Sequence, residues 1–186
     1  MRTPNDVVNV VYLTLRADGD LDERQRAAVE EIVARAGGSA LWRINATMRR
    51  AYALLELPDA RIRDDVRGVW RGTAYDGPII ALAVFPAALQ ALQPVLESLG
   101  GRGRPSGVVG AERCDGAAVI EWDPEMTDSR VVTALVDLEL RRFGSSRTAE
   151  LLTPLPPALA AKVAADGLHA PQISPQRILE ARIDSA

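Results

Sequence analysis

The chain has 186 residues, of which 47% are hydrophobic and 25% charged, and a formal net charge of −3. That much apolar surface excludes bulk disorder, and the slightly acidic balance gives no global electrostatic case for nucleic acid or an anionic membrane. Cys114 is the only cysteine, which excludes an intrachain disulfide and a cysteine metal cluster and suits a reducing compartment.

In chain order, residues 1–6 lack the positive bias of a signal peptide, and no apolar run approaches the roughly 20 residues of a membrane-spanning helix. The expected location is the cytoplasm. Val11, Leu13 and Leu15 alternate with Tyr12, Thr14 and Arg16, the period of a strand. Thr3-Pro4-Asn5-Asp6 is a competing helix start. After a turn at Ala17–Asp20, Leu21, Ala28, Ile32 and Ala36 predict a helix over 21–36, closed by Gly37-Gly38. Trp42, Ile44, Ala46 and Met48 alternate with Arg43, Asn45, Thr47 and Arg49, which predicts a half-buried strand over 42–49. Tyr52–Leu57 reads as a second, more central strand, and Ile62, Val66, Val69 and Trp70 as one helix face ending at Gly72.

Asp18, Gly19, Asp20 and Asp22 have the look of a calcium loop. The pattern fails at its sixth and twelfth positions, which are Glu23 and Val29 rather than glycine and glutamate. The same stretch, Arg16 to Arg26, resembles the acidic helix–helix turn of TerB-like tellurite-resistance domains. That resemblance covers about 20 residues and implies an all-helical N-terminal third, against the alternation at Trp42–Arg49.

Tyr75-Asp76-Gly77-Pro78 reads as a turn cluster. Ile79–Phe85 is a continuous apolar run and the best buried strand. A helix over 86–99 follows, with a kink at Pro94, then a glycine-rich loop over 100–107. Val108–Arg113 and Ala117–Trp122 read as a hairpin around Cys114-Asp115-Gly116. A helix over 128–143, a strand over 148–152 and two short tail helices over 158–165 and 175–183 complete the pattern. From Ile79 to Leu152 the order is βαββαβ, the ferredoxin-like arrangement. The first half repeats it with a period of about 70–75 residues but lacks a clear fourth strand, so the strand at Ile79 is expected to serve either half. The expected fold is α+β, with tandem, degenerate ferredoxin-like units and a short helical tail. The expected segments are 1–74, 75–155 and 156–186, packed as one compact domain.

No catalytic motif is present. Arg102 and Arg104 in the glycine-rich loop are candidate anion ligands, although the loop has no Walker lysine and no following helix. Arg43 and Arg49, expected on one polar strand face, are the other candidate anion ligands. With Arg61, Arg63, Arg67 and Arg71 they make residues 41–71 locally basic, a candidate RNA surface that lacks stacking aromatics. Glu121 lies on the Val119 face of its strand, a partly buried acid if helices cover that face and a solvated or cleft-lining one if they do not. His169, the only histidine, sits in the tail with no nucleophile elbow to serve. No metal or cofactor is expected. The expected function is a non-catalytic binding or regulatory module that self-associates, or meets a protein partner, through an open sheet face. The alternatives are a cofactor-free enzyme of dimeric α+β-barrel type using Glu121, Tyr75 and the sheet-face arginines, and nucleic-acid binding through the 41–71 arginines.

Overall fold

A computed structural model describes residues 10–86, 107–114, 116–125, 142–143, 146–147 and 149–166. The chain divides into two compact units, Met1–Pro78 and Ile79–Ala186. Each holds a four-stranded antiparallel sheet, so the fold class is α+β.

The first unit runs β1 (Val11–Asp18), α1 (Glu23–Arg35), β2 (Ser39–Asn45), β3 (Arg50–Leu57), α2 (Ile62–Val69) and β4 (Thr73–Asp76). Its strand order is β2-β3-β1-β4. The alternation read at the start of the chain is that of β1, whose Leu13 and Leu15 enter the core while Thr14 and Arg16 face the other way. On the core side they meet Ala53, Leu55 and Leu57 of β3, Val29 and Val33 of α1, and Val66 and Trp70 at α2. Asp22 caps α1, its Oδ1 accepting the Arg24 amide at 2.9 Å. Gly37, at φ 77°, supplies the left-handed residue that ends the helix.

The all-helical N-terminal third that the TerB-like resemblance implies is not found, and β1 is the strand that the alternation at Val11–Arg16 predicts. Two expectations change here. The strand expected over 42–49 is β2 at Ser39–Asn45, and residues 46–49 form the hairpin turn. The Asn45 side chain drives that change: its Oδ1 accepts the Met48 amide at 2.8 Å and closes the turn, with Arg49 held at φ 50°. Finally, Thr73–Asp76 is a strand rather than part of a turn cluster. It pairs with Arg16–Leu13 of β1, and the Gly77 amide extends the ladder to the Tyr12 carbonyl at 2.9 Å. Four residues are too few for alternation to register, and the glycine and proline that follow dominated the pattern.

The second unit contains β5 (Ile80–Val84), β6 (Val108–Cys114), β7 (Ala117–Trp122), β8 (Arg142–Phe143), β9 (Ser146–Arg147), β10 (Ala149–Leu151) and α3 (Pro157–Asp166). The four-stranded sheet has the order β10-β5-β7-β6, and among the described residues β8 pairs with β9 alone. The strand at Ile80 therefore belongs to the second sheet, between β10 and β7, and is not shared. The helix expected over 128–143 lies outside the described residues except at Arg142–Phe143, which are paired strand instead. The stretches 87–99, 100–106 and 175–183 also lie outside them. The β6–β7 hairpin closes as expected with Cys114 opposite Ala117 and Gly116 at φ 80°, residue 115 lying outside the described residues. Leu155 and Leu159 of the tail pack on Ile80 and Leu151.

Two outcomes follow from this packing. Leu55→Ala removes a fully buried side chain from the middle of the first core and is expected to cost about 2–5 kcal/mol in urea unfolding of the intact chain. Asp59, just before α2, accepts Arg61 Nε at 3.0 Å and Nη2 at 2.8 Å, and the Arg61 amide at 2.9 Å. These side-chain and then backbone hydrogen bonds hold its carboxyl below the ordinary value. A depressed folded value means that the contribution is complete above the unfolded carboxylate range and is lost as pH falls through the folded value. Carbonyl-detected NMR titration should place the Asp59 midpoint below that of a free aspartate, and Arg61→Ala should move it back up.

Candidate functional site

The residues with the most chemistry converge on the face of the first sheet that turns away from its two helices. Strand alternation puts Tyr12, Thr14, Arg16 and Asp18 of β1 on that face. The register places Glu56, Leu54, Tyr52 and Arg50 of β3 directly opposite them. Tyr75 and Thr73 join from β4, opposite Thr14 and Arg16. Ser39, Leu41, Arg43 and Asn45 join from β2, opposite Glu56, Leu54, Tyr52 and Arg50.

Within this face the polar side chains form a ladder across three strands. Asp18 receives Arg16 Nη2 on Oδ2 at 3.2 Å and Arg50 Nε on Oδ1 at 3.3 Å. Arg16 Nη1 donates to the Tyr75 hydroxyl at 3.0 Å, and Arg50 Nη1 donates to the Tyr52 hydroxyl at 3.2 Å. The Thr14 hydroxyl donates to the Gly77 carbonyl at 2.9 Å, tying β1 to the end of β4. Burial is deep at the centre: Tyr52 is 0%, Thr14 1% and Arg50 5% exposed. A guanidinium so far from water is held by charge-assisted hydrogen bonds or not at all. The two arginines are therefore fixed in place, each aligned by one oxygen of the same carboxylate.

Beside the ladder, at the Asp18 end of the sheet, lies an open cleft of about 450 Å³ lined by Asp18, Asp20, Asp22, Gln25, Trp70 and Arg71 among others. Gln25 Oε1 accepts the Arg71 amide there at 2.9 Å. This is the stretch with the look of a calcium loop. Among the described residues, no group of three or more His, Cys, Asp or Glu is placed to hold a metal.

The residues singled out in the sequence are dispersed. Arg43 lies on the ladder face, opposite Tyr52. Arg49 sits in the hairpin turn and reaches Asp20 at 3.8 Å, so the two do not share one strand. Tyr75 is the hydroxyl partner of Arg16. Glu121 is in β7 of the second unit, between Ala81 and Gly110, and is 1% exposed. Its neighbour Trp122 stands opposite Ile80, the side on which Leu159 packs, so Glu121 occupies the face turned away from that helix. A Cβ on Gly110 would stand 3.1 Å from Glu121 Oε1, so the missing side chain at 110 makes the room this carboxylate uses. Arg102, Arg104 and His169 lie outside the described residues. In the basic stretch, Arg61 is paired with Asp59, and Arg63 and Arg67 both reach Asp76, which commits their charge to carboxylates of the chain itself.

Sequence reasoning weighed Asp18 only as part of a calcium-like loop, in a turn, and missed Arg50, which precedes the expected start of its strand. Extending the two period-two patterns by two residues each would have put both on the ladder face. No described helix is long and apolar enough to cross a membrane. Comparison of the chain with protein-family models and with curated proteins finds no match.

Removal of the shared carboxylate should register as lost stability. Asp18→Asn is expected to lower unfolding free energy by about 1–3 kcal/mol. Asp20→Asn, whose ion pair among the described residues is with the exposed Arg49, should change it by less than about 0.5 kcal/mol. Equal effects in chemical denaturation would contradict the ladder.

Proposed function

We propose that this chain is a non-catalytic binding module of two ferredoxin-like units that associates with a second copy through the first sheet. Two features support the ferredoxin-like reading. The first unit runs strand, helix, strand, strand, helix, strand, and its sheet order is fourth, first, third, second. Counting β5, β6, β7 and β10 as the four strands of the second sheet gives the same order again.

The non-catalytic reading is supported by the bonding of the ladder. Its arginines, tyrosines and carboxylate are turned toward one another, an arrangement that rigidifies a sheet. The self-association reading rests on a single observation. The centre of the ladder face is buried within one chain, but at the β2 margin Leu41 is 51% exposed, and Ile44 on the other face of the same strand is 52% exposed. The expected contact through an open sheet face thereby moves to its β2 side. Leu41 and Ile44 are the two most exposed large apolar side chains among the described residues, and both lie on the one strand.

Sedimentation velocity on the intact chain at about 1–100 μM tests this reading, in the concentration range where interfaces of modest size associate. A concentration-dependent shift from monomer to dimer is expected. A monomer throughout that range would overturn it.

A further inference from the structure

We infer that the contact is an antiparallel pairing of β2 with β2 of a second copy, in the register that sets Trp42 opposite Trp42, an inference that rests on the self-association reading above. The four margins of the two sheets differ in the protection they carry. β4 has four residues and ends in Asp76, and β10 has three with Glu150 in the middle. β6 has seven, but its ladder is broken by a bulge between Val108 and Gly110, and it exposes Glu112 and Arg113. Short length, bulges and exposed charge are the usual means of keeping a sheet edge from pairing. β2 has neither the shortness nor the bulge, and its charge is only partly exposed. It runs seven residues, Ser-Ala-Leu-Trp-Arg-Ile-Asn, in unbroken register with β3, and among the described residues it pairs with no other strand. Arg43 is its one charge.

The strand is also well anchored, so it presents a fixed template. Trp42 points to the helix side, where its ring lies 5.9 Å from that of Trp70 and under the Arg26 guanidinium of α1 at 5.3 Å.

The geometry of self-pairing selects the register. A two-fold axis normal to the sheet keeps each face on its own side, so a residue can oppose only one of the same face. The register centred on Trp42 pairs every residue of the strand: Ser39 with Asn45, Ala40 with Ile44, and Leu41 with Arg43. It covers both exposed apolar side chains, Ile44 over Ala40 and Leu41 against the methylene stem of Arg43. A shift centred on Arg43 sets two guanidiniums against each other, a destabilising like-charge pair. A shift centred on Leu41 leaves Ile44 unpaired.

The test uses the charge at Arg43, with dimer dissociation constants of the intact chain read by sedimentation equilibrium and folding checked by circular dichroism. In this register, residue 41 of each copy faces Arg43 of the other. Leu41→Lys places two cations together and should weaken the dimer at least tenfold. Leu41→Glu places an anion there and should leave the dimer as tight or tighten it. Opposite responses of the two variants support the pairing. Equal weakening by both would overturn the register, and indifference to both in a chain that still dimerises would overturn β2 as the contact while leaving self-association standing. A wild-type monomer would overturn both readings.

Discussion

The first unit depends on the pairing of β1 with β3, an unbroken antiparallel ladder from Val11 opposite Leu57 to Asp18 opposite Arg50. Strand alternation makes this one ladder serve two purposes. One set of side chains, Leu13, Leu15, Ala53, Leu55 and Leu57, is the core under both helices. The other set, with Arg16, Asp18, Arg50 and Tyr52, is the polar ladder. A slip of one residue would exchange the two faces, burying guanidiniums beneath the helices and exposing leucines. The register is therefore specified twice, by apolar burial on one side and by a shared carboxylate on the other.

The rest of the first unit is hung on that pair. β4 adds to the free side of β1 through four residues and is secured by Thr14, whose hydroxyl reaches the Gly77 carbonyl. β2 adds to the free side of β3 and is secured from the helix side by the Trp42–Trp70 contact. Gly72 shows how closely this is fitted: a Cβ there would run into the Arg16 carbonyl and the Trp70 ring. The second unit obeys a related rule with different residues. Apolar Ile80, Leu82, Ile120 and Trp122 occupy one face of its sheet. Ala81, Ala83, Val119 and Glu121, fully buried as well, occupy the other.

How much of this was legible in the sequence follows from the length of each pattern. β1, α1, β3, α2, β5 and β7 each carry enough residues for a period of two or 3.6 to show, and each was readable in type and approximate position. β4 was not, because its pairing partner lies about 60 residues away and four residues hold no period of their own. The end of β2 was misread because Ala46 and Met48 continue the alternation while the Asn45 side chain has already turned the chain. The same error placed Arg49 on one strand face with Arg43, although it lies in the turn. Of the site, Tyr12, Thr14 and Arg16 were readable as a polar strand face. What joined them to Arg50 and Tyr75 was strand register, which is set by the whole sheet and which no local window contains.

The claim that β1 and β3 carry the first unit is tested most directly by native-state amide hydrogen exchange on the intact chain. The account predicts that the amides of Leu13, Leu15, Ala53 and Leu55 exchange only through global unfolding of that unit, far more slowly than those of Thr73–Asp76. Exchange of the β1 and β3 amides at the same rate as those of β4 would contradict it.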